Sequence, residues 1–137
     1  MTDIPGDPIL QDPAFPPEKE SILLSIKKML GLSKDYDAFD TDVIIHINSA
    51  LMYLRQLGVG DDNVFEVTGV EEFWQDFLPT PDNLGAAKTY VYLRVRLAFD
   101  PPTNSFAVSA IERQIDELEW RLNVEAESKE FHDEFGY

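Results

Sequence analysis

Cysteine is absent from this 137-residue chain, which excludes disulfide bonds, thiolate nucleophiles and cysteine-ligated metals. Basic residues are scarce: 11 Lys and Arg stand against 26 Asp and Glu, for a net charge of −15. Because neutralisation of DNA phosphates requires clustered Lys and Arg, the composition does not favour binding to the DNA backbone. No apolar run approaches the roughly 20 residues that cross a bilayer. The acidic, proline-broken start is unlike a secretory leader, so we expect synthesis in the cytoplasm and no membrane partner.

Recognisable catalytic and ligand-binding motifs are also missing. The two histidines, His46 and His132, stand apart in the sequence, and no glycine-rich phosphate loop occurs. The acidic run 35–42 invites comparison with a calcium-binding EF-hand loop. However, the sixth and twelfth positions of that loop, which should be Gly and Glu, are Asp40 and His46. We therefore predict no catalytic residues, no metal site, no cofactor and no enzymatic activity. A small carboxylate enzyme without a motif remains an alternative.

Helical periodicity dominates what is present, and 44% of the residues are apolar. The pattern predicts an all-α fold, a small bundle of about four to five helices. A short β element is expected near residues 64–67, where Val64-Phe65-Glu66-Val67 follows a turn signal. The predicted helices run from near Pro17 to Gly31, Asp40 to about Leu57, Glu71 to Leu78, Pro81 to Phe99, and from the segment after Pro102 to Val124 or beyond.

Several residues give these predictions their detail. Gly31 and Gly58 are expected to end the first two helices. Asp40 is a good N-cap, and Thr68 to Glu71 fits a capping box that would open the short third helix. The fourth helix is apolar nearly all round, so we expect it at the centre of the bundle. Arg94 falls among its apolar positions and has either a carboxylate partner or a snorkelling side chain.

The two ends of the chain differ from its middle. Residues 1–17 hold five of the nine prolines, and residues 1–20 and 125–137 each carry five acids and one Lys. We divide the chain into an extended N-terminal arm (1–19), a helical domain (20–124) and an acidic C-terminal tail (125–137). The arm is either a frayed terminus or a segment that packs on a neighbour. The tail's composition is typical of disorder in isolation.

Trp120 is the clearest candidate contact residue. It follows Ile111 by nine positions, which is about 900° of helical rotation, so it should lie opposite the core stripe of the fifth helix. It is either a binding residue or covered by another helix of the same chain. The full set of candidate protein-interface residues is Ile9, Leu10, Phe15, Trp74, Phe77, Arg113, Trp120, Val124, Phe131, Phe135 and Tyr137.

Four segments resemble a known family, and together they cover about residues 20–124. They are 25–31, 39–49, 88–103 and 111–123, and the most specific parts are Asp-Pro-Pro-Thr at 100–103 and Glu-Leu-Glu-Trp-Arg-Leu-Asn at 117–123. In these segments the chain resembles the head–tail connector (adaptor) proteins of siphophages and of prophages in Gram-positive bacteria.

The resemblance implies a structural function in the neck of the virion. Copies would form a ring, expected to be twelve-fold, between the portal protein and a stopper or tail-completion protein. Genome DNA would pass through the ring without specific binding, and no cofactor or catalytic residue is implied. The alternative function is that of an acidic DNA mimic or regulatory binding protein, which the charge of −15 favours.

Overall fold

The computed structural model describes residues 18–60 and 64–135, with side chains described as far as residue 129. Among these residues the fold is all-α, as predicted. Its five helices are α1 (Ile22–Leu30), α2 (Asp40–Gln56), α3 (Trp74–Phe77), α4 (Leu84–Phe99) and α5 (Ser105–Phe135).

Helix α1 begins later than predicted. It starts at Ile22 rather than near Pro17, because the Ser21 hydroxyl accepts a hydrogen bond from the Leu24 amide and caps the first turn. The segment before it pairs with residues ahead of α3. The Ile22 amide donates to the Glu72 carbonyl at 2.9 Å, and the Trp74 amide donates to the Glu20 carbonyl at 3.0 Å. The predicted stop is confirmed, since Gly31 has the left-handed φ of 83°.

Helix α2 has the expected extent, but Asp40 is not its cap. Phe39 holds the N-cap position, and Asp40 lies in the first turn, 2.8 Å from the Nζ of Lys27. Lys27 is only 1% exposed and also donates to the carbonyls of Lys34 and Tyr36. This buried lysine therefore fixes the α1–α2 loop against the start of α2.

The predicted β element is wrong, because residues 64–67 lie outside any strand. The Asn48 side chain replaces a strand partner. Its Nδ2 donates to the Val67 carbonyl at 2.9 Å, and its Oδ1 accepts from the Val67 amide at 2.8 Å. The capping interaction that follows also differs, since the carboxylate that accepts from the amides of Thr68 and Gly69 belongs to Glu72, not Glu71.

Helix α4 is central, as its apolar surface predicted, and packs against α1, α2 and α5. It begins at Leu84 rather than Pro81, after Asn83 in the left-handed conformation at φ 66°. Ala87, Tyr90, Val91 and Val95 are fully buried. They join the buried residues of the other helices: Ile22, Leu23, Ile26, Val43, Ile47, Leu51, Leu54, Trp74, Phe77, Ile115 and Leu122.

Helix α5 continues through residues that composition assigned to a disordered tail. Two contacts with the end of α2 hold it beyond Leu122. The Asn123 side chain donates to the Leu57 carbonyl at 3.2 Å, and Ala126 packs against Gly58 so closely that a Cβ on Gly58 would lie 3.0 Å from it. Gly58, with φ 89°, is therefore needed both for its conformation and for this contact. The backbone remains helical to Phe135.

Candidate functional site

Tyr90, Arg94 and Glu119 form a polar cluster between helices. The Tyr90 hydroxyl donates to Glu119 Oε2 at 2.7 Å, and burial together with this bond raises the pKa of Tyr90. Arg94 lies 3.4 Å from the same carboxylate oxygen, and its guanidinium stacks 3.9 Å from the centre of the Tyr53 ring. The predicted carboxylate partner of Arg94 is thus confirmed as Glu119. The cluster ties α2, α4 and α5 together.

Among the described residues, the carboxyl group of Glu72 also has a shifted pKa. Partial burial opposes its ionisation, but hydrogen bonds from the Thr68 hydroxyl and the amides of Thr68 and Gly69 outweigh burial and lower its pKa below the ordinary 4.5. These bonds close the turn that leads into α3. The carboxylate is therefore engaged with its own backbone.

Open grooves lie on the surface of the described residues, and two of them are lined in part by charged side chains. The larger, of about 770 Å³, lies where the α2 end, the segment before α4 and the C-terminal half of α5 meet, and Pro79, Asp82 and Lys129 are among its lining residues. The smaller lies between α4 and α5, lined by Arg94, Glu112 and Asp116. No cluster of three metal-ligating side chains occurs in the part of the chain that the structure describes.

No described helix is both long and apolar enough to traverse a bilayer.

The fold corrects the prediction that two aromatic residues are contact residues. Trp74 is fully buried and donates from Nε1 to the Ser25 hydroxyl at 2.7 Å, and Phe77 is 1% exposed and packs edge-on against Phe65. Both belong to the core, so neither offers a surface to a partner. The partners that cover them, in α1 and near residue 65, are distant in the sequence.

The outer face of α5 carries the remaining predicted contacts that the structure describes. Trp120 is 68% exposed, Val124 is 40% exposed and Arg113 is exposed. Among the described residues, no other helix covers Trp120, so the alternative that it is buried by another helix of the same chain does not hold there. Phe106, 84% exposed, lies on the same face and was missed by sequence reasoning. Its spacing of seven residues from Arg113 and fourteen from Trp120 was the available signal. We call Phe106, Arg113, Trp120 and Val124 the α5 outer face.

A second exposed apolar surface lies on α2 and was also missed. Ile45 is 56% exposed and Met52 is 41% exposed, and they lie seven residues apart on the side opposite the core residues Val43, Ile47 and Leu54. Asp42 is exposed beside them at the start of the helix. We call Asp42, Ile45 and Met52 the α2 outer face. The core stripe of α2 was evident from periodicity, but an Ile on the other face gave no separate signal.

The contacts predicted in the arms fall outside what can be described. Ile9, Leu10, Phe15 and Tyr137 lie outside the described residues, and the side chains of Phe131 and Phe135 lie beyond residue 129. Their proposed role in binding stays a prediction.

Comparison with known proteins places the chain in a family. A family model described as "Phage connector protein" matches residues 22–129, which include all five helices except the last turns of α5. Searches of curated proteins and of solved structures found no match.

Proposed function

Because the chain belongs to the phage connector protein family, we propose that it is the adaptor subunit of a ring that joins the head of a tailed phage to its tail. As a member of this family it is a structural component of the virion. In the proposed arrangement, copies of the chain form a ring, with twelve copies expected. The portal protein lies on one side of the ring and a stopper or tail-completion protein on the other.

The family match over residues 22–129 carries this proposal. The surface of the fold supports it, because two separate helix faces expose large apolar side chains, Trp120 and Phe106 on one and Ile45 on the other. Such side chains on a small domain are typical of protein interfaces. A subunit of a ring needs contacts with copies on either side and with different proteins above and below.

The charge of the chain suits passage of DNA. With 26 acids against 11 bases, a ring of copies would repel phosphates rather than bind them. We propose that carboxylates facing the lumen let the genome slide through without adhering. The N-terminal arm and the C-terminal end of the chain, each with five acids and one Lys, are proposed to reach the portal and the tail-side protein.

Deletion of the gene in its phage or prophage tests the proposal. We expect DNA-filled heads and free tails that do not join, because the joining subunit is missing. The purified chain, added to an extract of such particles, should restore infectious virions. Normal virions from the deletion strain would refute the proposal. A second sample of the same extract receives the chain with Trp120→Ala. Comparing the two samples separates the effect of lacking the chain from the effect of lacking its exposed contact residue.

A further inference from the structure

We propose that neighbouring copies in the ring are joined by the α5 outer face of one copy docking, parallel, onto the α2 outer face of the next. This inference rests on the proposed function, since it assigns the surfaces through which the ring closes. The occupant of each face is therefore a second copy of this chain.

The two faces are distinct surfaces of one fold. Both helices pack against α4, and each outer face lies on the side of its helix opposite the buried residues, such as Ile115 and Leu122 on α5. Each face is free of cover from the described residues. An interface made from two different surfaces of the same chain is heterologous, and such contacts close into a ring when the rotation per copy permits.

The spacing of side chains on the two faces agrees in a parallel register. Trp120 lies seven residues after Arg113, which is about 10 Å along a helix that rises roughly 1.5 Å per residue. On α2, the point midway between Ile45 and Met52 lies six to seven residues after Asp42. The distance along the helix from Asp42 to that point is therefore also about 10 Å. When Arg113 is placed over Asp42, the Trp120 ring therefore falls between Ile45 and Met52.

The charges on the faces are complementary in the same register. Arg113 and Asp42 are both exposed, and neither makes an ion pair with the described residues. Of the other charges near Trp120, Arg121 lies 3.2 Å from Glu117, whereas Asp116 is exposed and makes no ion pair with the described residues. Arg113 is thus a cation that has no ion-pair partner among the described residues of a very acidic chain. Docking on Asp42 would supply that partner and keep two acidic copies in register.

Cross-linking tests the contact directly, because the chain has no cysteine of its own. A chain with Trp120→Cys is mixed with a chain with Met52→Cys and treated with a short bis-maleimide, in solution and on portal-bearing heads. We expect a covalent dimer that contains one chain of each kind. A single chain carrying both substitutions should give a ladder of dimers, trimers and larger products, as head-to-tail contact requires. Thr89→Cys, exposed on α4, replaces Met52→Cys in the matched control and should give no dimer.

A charge exchange tests the register with Trp120 intact. Arg113→Asp and Asp42→Arg should each weaken self-association by at least about fivefold, and the double variant should recover most of it. Dimers formed only between Trp120→Cys chains would overturn the inference in favour of a symmetric contact. Oligomers seen by native mass spectrometry without the mixed cross-link would overturn it and leave the proposed function standing. Mixed cross-links in a chain that never joins heads to tails would support this contact and refute the proposed function. A chain that forms no oligomer, free or on heads, would refute both.

Discussion

The buried pair of Lys27 and Asp40 gives a quantitative prediction because its two members differ in exposure. The Lys27 side chain is 1% exposed, whereas that of Asp40 is 27% exposed. Removing one member of a buried ion pair costs about 3–5 kcal/mol when the other charge stays buried and unpaired. Asp40→Asn removes the negative charge, so the Lys27 ammonium keeps only neutral acceptors, the carbonyls of Lys34 and Tyr36 and the new amide oxygen. We expect a loss of about 3 kcal/mol in the free energy of unfolding.

Lys27→Met should cost less, about 1 to 2 kcal/mol, although it removes the same pair. The Asp40 side chain that remains is partly exposed, although its Oδ1 atom is buried, and it lies in the first turn of α2, where the helix dipole favours a negative charge. The methionine retains most of the apolar packing of the lysine stem. Because the buried ammonium is gone, adding Asp40→Asn to Lys27→Met should cost little more.

Urea unfolding followed by tryptophan fluorescence measures these differences, because Trp74 is fully buried in the folded chain. Lys27→Met, Asp40→Asn and the double variant are compared with the wild type at one pH and ionic strength. A larger loss for Lys27→Met than for Asp40→Asn would refute the reasoning from exposure. Equal small losses for both would show that the pair contributes little.

Three further predictions concern single side chains. Trp74→Ala should lower the free energy of unfolding by about 4 kcal/mol, because this side chain is buried. Trp120→Ala should change it by no more than about 0.5 kcal/mol, because this side chain is 68% exposed. Similar losses for the two variants in urea unfolding would contradict the assignment of Trp120 to a free surface. Tyr90→Phe should cost about 1 kcal/mol in the same assay, since Glu119 loses its closest hydrogen-bond donor but keeps Arg94. Glu72→Gln should destabilise the chain at neutral pH. Because the folded pKa of Glu72 lies below 4.5, the wild type should lose this advantage as pH falls through that pKa, and a constant difference between pH 7 and pH 3 would contradict the role of the charge.

Helix positions and the central place of α4 could be predicted because they depend on local signals. Periodicity placed the core stripes, and Gly31 and Gly58 ended their helices in the left-handed conformation as expected. The start of α1 was missed because Pro17 and Ser21 are both acceptable near a helix start, and pairing with residues 72–74 decided between them. Such pairing between distant segments leaves no periodic trace in the sequence.

The candidate site was predicted only in part, for the same reason. Trp120 was found from its angle to the core stripe of its own helix. Trp74 was misjudged because its cover, Ser25 and the start of α1, lies 49 residues away. The end of α5 was predicted only as Val124 or beyond, since acidic composition favours disorder and the contact of Ala126 with Gly58 is tertiary.

Electron cryomicroscopy of the neck of purified virions tests the connector role most directly. We expect a closed ring of this chain between portal and tail, in which the density of each copy fits the five helices. Trp120 should lie buried at the contact with the next copy. Virions whose neck contains no copy of this chain would contradict the account.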